Sequence, residues 1–203
     1  MVEVQQTALN IVHERSYARQ AEDLAYYFAG ELKMSRWQYL DTLPVFTPQP
    51  ENYQGRFDIL LLVQTPQPKL PLQRILDIVG LQYNPDVLTA RDWAGSRFVT
   101  PEKAYLTYVE DGTGNLDTKP NIVRQNLSAD ERAGTLLDGT FLHVSDRGLV
   151  TRHYLDLPGS QVASGCVPYL CLWNGGPRFG CGWDGYAPPN SGSVVAGDKV
   201  VTK

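Results

Sequence analysis

The sequence predicts an α+β fold, a mostly antiparallel sheet with N-terminal and central helices packed on it and a C-terminal β-hairpin. Three observations carry that expectation. Arg56 to Thr65 holds an unbroken aliphatic centre, the mark of a strand covered on both faces. Lys103 to Glu110 is rich in β-branched and aromatic residues and stops at Asp111-Gly112, a turn signal. From Gly165 to Gly185, apolar runs flank Gly175-Gly176 and contain all three cysteines, a pattern that reads as a hairpin. The 203 residues are expected to form one domain, in which residues 1–46 are an N-terminal helical segment and residues 56–203 the α+β core.

Along the chain, Tyr17, Ala21, Leu24, Ala25, Phe28 and Leu32 recur at helical spacing and predict an amphipathic helix from Ser16 to about Lys33. Ser35 and Gln38 have the form of a capping box opening a short helix through Leu40, which Pro44 ends. A loop rich in proline follows from Thr47 to Gly55. After the first strand, Pro71 suits a helix's first turn, with Leu72, Ile75, Leu76 and Val79 on its apolar face and Gly80 placed to close it. Residues Leu81 to Val99 are broken by Asn84-Pro85, with a helical stretch expected from Asp86 to Trp93. Ser128 with Glu131 predicts a second capping box and a helix running through Leu136, Phe141 and Val144 towards Gly148. The segment Leu155 to Ser160 leads into the hairpin, and Pro188 to Gly192 forms a loop before a last apolar stub at Val194 and Val195.

Composition narrows the classes of function. The chain is 42% hydrophobic and 20% charged with a net charge of -4, as expected of a folded globular protein. Lys and Arg number 18 against 22 Asp and Glu, without a basic stripe, which argues against nucleic-acid binding. No apolar run approaches the roughly 20 residues that span a bilayer, and no membrane association is expected. The opening Met-Val-Glu-Val-Gln-Gln lacks the cationic start and apolar core of a secretory signal, so a cytoplasmic protein is expected. Three cysteines, an odd number, then suit a reducing compartment as free thiols.

The cysteines lack the close bites of structural zinc sites, and neither a metal nor a cofactor is expected. With Gly175-Gly176 as a two-residue turn, Trp173 would face Arg178 and Cys171 would face Gly180, leaving Cys171 and Cys181 on opposite faces. A three-residue turn through Pro177 would instead set the two cysteines opposite each other. Alternation puts Val167, Tyr169, Cys171 and Trp173 on one face, with two readings: a core hairpin filled by aromatic residues, which is favoured, or a binding surface around Trp173, Trp183 and Asp184. His143 and His153 flank the end of the capped helix, with Asp146 and Asp156 close in sequence. A histidine oriented by an aspartate is a candidate general base, though an ion pair explains His143 and Asp146 equally well. Ser164-Gly165-Cys166 suggests a thiol nucleophile only if a histidine approaches in space. Phosphate-loop, dinucleotide-binding and nucleophile-elbow motifs are absent.

Four segments from Thr100 onward carry a resemblance: Ala104 to Gly112, Leu127 to Gly139, Leu155 to Ser160, and Val167 to Trp173 with its Gly-Gly-Pro turn. In their order this part of the chain resembles a family of uncharacterised bacterial proteins carrying a domain of unknown function. The resemblance covers about half the chain and implies no activity and no site residues. The expected function is a non-catalytic module that binds a protein or small ligand, with a protein partner or homo-oligomer as candidate assemblies. The alternative is a hydrolase-type enzyme using His143 or His153 with a nearby aspartate.

Overall fold

A computed structural model describes residues 2–162 and 166–203, with side chains from residue 7 onward. It is an α+β fold with antiparallel-dominated sheets. The first helix, α1, spans Val2–Phe28 and is longer at its start than the expected Ser16 to Lys33. The expected stripe of Ala21, Leu24, Ala25, Phe28 and Leu32 is buried, whereas Ile11 and Val12 are exposed. α2 (Arg36–Leu40) carries the expected reciprocal capping box between Ser35 and Gln38. The loop that follows contains a 3-10 turn at Glu51–Tyr53, which buries Tyr53.

Strand β1 (Ile59–Val63) is buried along almost its whole length. It ends the sheet on one side, and α1 covers its free edge. The Gln20 side chain donates to the Leu60 carbonyl at 2.8 Å and accepts from the Leu62 N–H at 2.9 Å, standing in for a neighbouring strand. His13 extends the cover by donating from Nε2 to the Asp58 carbonyl at 3.0 Å.

α3 (Leu72–Ile78) begins after Pro71 and closes as expected, with Gly80 at φ +78° and the Leu81 N–H bonded back to the Leu76 carbonyl. Beyond it lie β2 (Gln82–Tyr83), a 3-10 turn at Pro85–Thr89 and β3 (Arg91–Asp92). The stretch expected to be helical from Asp86 is thus one short turn, capped by Asn84, whose side chain accepts from the Asp86 N–H. β4 (Tyr105–Glu110) is the second expected strand, and α4 (Pro120–Asn126) is a helix that the sequence pattern does not announce.

The Ser128 to Glu131 motif corrects the sequence reading. Glu131 accepts from the Ser128 N–H, as in a capping box, but the Ser128 hydroxyl donates to Asp130 instead of accepting from the chain ahead. The chain continues as strand β5 (Glu131–Ala133), and α5 (Leu136–Ser145) starts only after Thr135, whose capping box closes on Asp138. A one-turn helix α6 (Leu149–Arg152) precedes β6 (Tyr154–Asp156), β7 (Ser160–Gln161) and the hairpin strands β8 (Cys166–Trp173) and β9 (Gly176–Trp183). Three short strands finish the chain: β10 (Ser191–Ser193), β11 (Val195–Gly197) and β12 (Val201–Thr202).

One sheet runs β1-β4-β11-β5, with β12 also on β4, and a second runs β10-β6-β8-β9-β2. Among the described residues, only β10 with β6 and β2 with β9 pair in parallel within these sheets. A two-stranded pair, β3 with β7, ties the 91–92 segment to the chain after β6. One contiguous core joins α1, α2, α5 and both large sheets.

In the hairpin the turn is Asn174-Gly175, both at positive φ, one residue earlier than expected. Trp173 therefore pairs with Gly176, Cys171 with Arg178 and Pro168 with Cys181. A type I′ turn needs left-handed backbone at both central residues, which Asn tolerates and Gly adopts freely. The register shifts by two residues from the expected one, so Cys171 and Cys181 still lie on opposite faces, and all three thiols are free.

Candidate functional site

The structure separates most of the residues singled out from the sequence. His143, on α5, is buried, its Nδ1 has no partner among the described residues, and burial with the nearby Arg147 charge pushes its pKa down to about 4. Asp146 is near enough to act on it through charge, but its carboxylate is held by Arg152 at 2.7 Å and by the Gly148 N–H at 2.9 Å. His153 donates from Nε2 to the Asp111 carbonyl at 2.8 Å, a structural bond that fixes its tautomer. Asp156 is buried, accepts from the Ser191 hydroxyl at 2.9 Å, and is pushed up to about 6 by that burial. No hydrogen bond joins either histidine to either aspartate among the described residues. Ser164 and Gly165 lie outside the described residues, and Cys166 is half-buried.

The hairpin tryptophans are not core filling. Trp173 is 53% exposed and Trp183 67% exposed, while Leu170 and Phe179 supply the buried pair. Register and alternation place Trp173 and Trp183 on opposite faces and at opposite ends of the ribbon, so they do not form one surface. The guanidinium of Arg178 lies over Trp173. Asp184 points away from any such surface and ties the hairpin to α4. Its carboxylate binds Arg124 at 2.8 Å, and its carbonyl accepts from the Asn121 N–H.

That ion pair borders the most distinctive region of the molecule. Arg124 is buried, donating from Nε to the Pro158 carbonyl at 2.7 Å and stacking on Trp93 at 4.6 Å; burial lowers its pKa despite the Asp184 carboxylate. Deeper, Arg132 of β5 meets Asp138 of α5 in a two-pronged pair at 2.6 and 3.1 Å, both side chains almost wholly buried. Asp138 also accepts from the Tyr105 hydroxyl and from Thr135, while Arg132 reaches the Thr107 hydroxyl. Burial alone would raise the Asp138 carboxyl, but Arg132 and the Thr135 donors outweigh it and hold it below its usual range. The Phe98 ring lies 4.0 Å from the Arg132 guanidinium, and the Arg132 Nε–H is buried without a partner among the described residues.

Trp93, Phe98, Arg124 and Arg132 share a cavity of about 550 Å³. Its walls are the 93–99 segment, the end of α4 with the Leu127 to Ala129 turn, β5, and Asp198 with Val200. Two smaller cavities, of about 390 and 320 Å³, lie at the start of α5 and beside Glu110. Among the described residues, neither is lined by one with a buried, unpartnered side-chain atom, whereas the large one is lined by Arg132. In the smallest, the Glu110 carboxylate is held by the N–H groups of Gly112 and Gly114, and Glu131 by Arg56.

No family model, curated protein or solved structure matches this chain. Among the described residues, no three or more His, Cys, Asp and Glu side chains gather as metal ligands, and no helix is long and apolar enough to cross a membrane. The cavity residues escape sequence reasoning for identifiable reasons. Trp93, Arg97 and Phe98 sit in the poorly patterned 81–99 stretch, Arg124 is on the unannounced α4, and Arg132 lies where the pattern predicts a helix. The one residue the sequence does bring forward is Asp184, a neighbour of Trp183, which anchors Arg124.

Proposed function

We propose that this protein is a non-catalytic module that binds a small ligand in the cavity between the 93–99 segment, α4 and β5. The observation that carries this reading is a cavity of ligand size, about 550 Å³, lined by a buried arginine whose Nε–H has no acceptor among the described residues. A buried donor without a partner costs about 1–3 kcal/mol, which a bound acceptor recovers. Apolar and polar groups mix in the lining, as in small-molecule sites. The hydrolase alternative needs a histidine and an aspartate in hydrogen-bond reach, and the partners of His153, Asp146 and Asp156 lie elsewhere. Placement in the cytoplasm belongs to the proposal and is supported by the three free thiols. So does membership of the bacterial family that the chain's second half resembles, which adds no activity.

The test is a fragment screen by ligand-observed NMR on the wild type and on Ala129→Trp, a substitution that places an indole at an exposed position of the cavity wall. The reading expects hits that compete with one another and disappear in the variant. An empty screen, or hits that survive the tryptophan, would overturn it.

A further inference from the structure

The geometry points to a specific ligand class for this cavity: a small organic acid, its carboxylate held by Arg97 and Arg132 and its apolar body against Phe98, Leu127 and Val200. The inference rests on the proposed reading of the cavity as a ligand site and deepens it.

Most charges around the cavity are already engaged. Arg124 is paired with Asp184, and Arg132 with Asp138. The two carboxylates of the lining are occupied as well: Glu131 binds Arg56 and the Ser128 N–H, and Asp198 accepts from the Tyr53 hydroxyl at 2.6 Å. Arg97 differs, since among the described residues its guanidinium has no hydrogen-bond or ion-pair partner. Among the described residues, the lining therefore presents an unpaired cation at an exposed position and an unpaired N–H on a buried arginine, and both are donors. An anion supplies what both lack, and a carboxylate offers two oxygens to divide between them.

The rest of the lining decides against a bare inorganic ion. Phe98, Val99, Leu127 and Val200 contribute apolar surface, and the volume far exceeds that of a single oxyanion. Phe98 lies on the Arg132 guanidinium, and it belongs to the same 93–99 segment that carries Arg97. The aromatic wall and both cationic donors thus adjoin in one lining.

The test uses isothermal titration calorimetry of the full chain with phenylacetate, with phenylacetamide as its uncharged counterpart, and with inorganic phosphate as an anion without an apolar body. The inference expects phenylacetate to bind, the amide and phosphate to bind at least about fivefold more weakly, and Arg97→Gln to remove about fivefold from phenylacetate alone. Arg97 is exposed and unpartnered, so the variant leaves the fold intact, which its circular dichroism verifies. Equal binding of acid and amide, or an Arg97→Gln protein that holds phenylacetate as well as the wild type, overturns the organic-acid assignment and leaves the ligand cavity standing. Phosphate binding as tightly as phenylacetate overturns the role of the apolar wall. Failure of all three probes, together with an empty fragment screen, overturns the cavity reading itself.

Discussion

Two buried titratable groups pull the stability of this protein in opposite directions between about pH 4 and 6, and separating them is a demanding check on the packing of β6 and α5. Asp156, on β6, has only the Ser191 hydroxyl as side-chain partner among the described residues, and burial moves its pKa from 3.8 to about 6. In that window the folded state holds a proton that the unfolded chain has lost. Its contribution is therefore fully present below about pH 4 and disappears as pH rises through about 6. His143 behaves conversely: burial and Arg147 move it from 6.5 to about 4, so the unfolded chain holds the extra proton. Its contribution is present above about pH 6.5 and disappears as pH falls through about 4. Each shift is about two units, or about 3 kcal/mol, with a slope of about 1.4 kcal/mol per pH unit. In the wild type the two slopes cancel. Asp156→Asn keeps an acceptor for Ser191 and removes the titration, so its stability relative to wild type should rise by about 1.4 kcal/mol per pH unit between about pH 4.5 and 5.5. His143→Gln should show the same slope with opposite sign. Urea unfolding at intervals of half a pH unit, followed by near-ultraviolet circular dichroism, measures both differences. Two flat difference curves would refute the burial assigned to these groups.

Other substitutions probe the remaining supports of the fold. Asp138→Asn leaves the Arg132 charge buried beside a neutral amide and should cost about 3–5 kcal/mol, whereas the paired replacement Arg132→Met with Asp138→Leu should recover much of that loss; denaturant midpoints give both values. Gln20→Ala removes both side-chain bonds that cover the free edge of β1 and should cost about 1–3 kcal/mol, with faster amide exchange at Leu62 as the local signature. Thr135→Ala strips the cap of α5 and should lower stability by about 1–2 kcal/mol, and Ser128→Ala, outside any helix, by much less.

The same elements explain what can be read in the sequence. Strands β1 and β4 are legible because burial on both faces writes a continuous apolar or β-branched run. The start of α2 and the end of α3 are legible because caps are local chemistry, complete within four or five residues. The Ser128 motif misleads for the complementary reason. A capping box and a turn into a strand share the backbone N–H to glutamate bond, and the choice between them is made by β11, which pairs β5 from more than sixty residues downstream. In the hairpin, Gly175-Gly176 competes with Asn174-Gly175 for the turn, and the second pair is the one that adopts the left-handed conformation. The cavity is invisible for a different reason. Arg132 and Arg124 are distinguished by their partners Asp138 and Asp184, one on the next helix and one 60 residues away, and neither pairing leaves a local pattern.

Ligand binding in the cavity between the 93–99 segment, α4 and β5 is most directly measured through the indole N–H spectrum of the nitrogen-15 labelled protein. The chain has four tryptophans, of which Trp37, Trp173 and Trp183 are exposed and assignable by single phenylalanine variants. Addition of phenylacetate at millimolar concentration should move the remaining resonance, that of Trp93, and leave the other three in place. Movement of the hairpin tryptophans with Trp93 unchanged would contradict the account and put the binding surface on the ribbon instead.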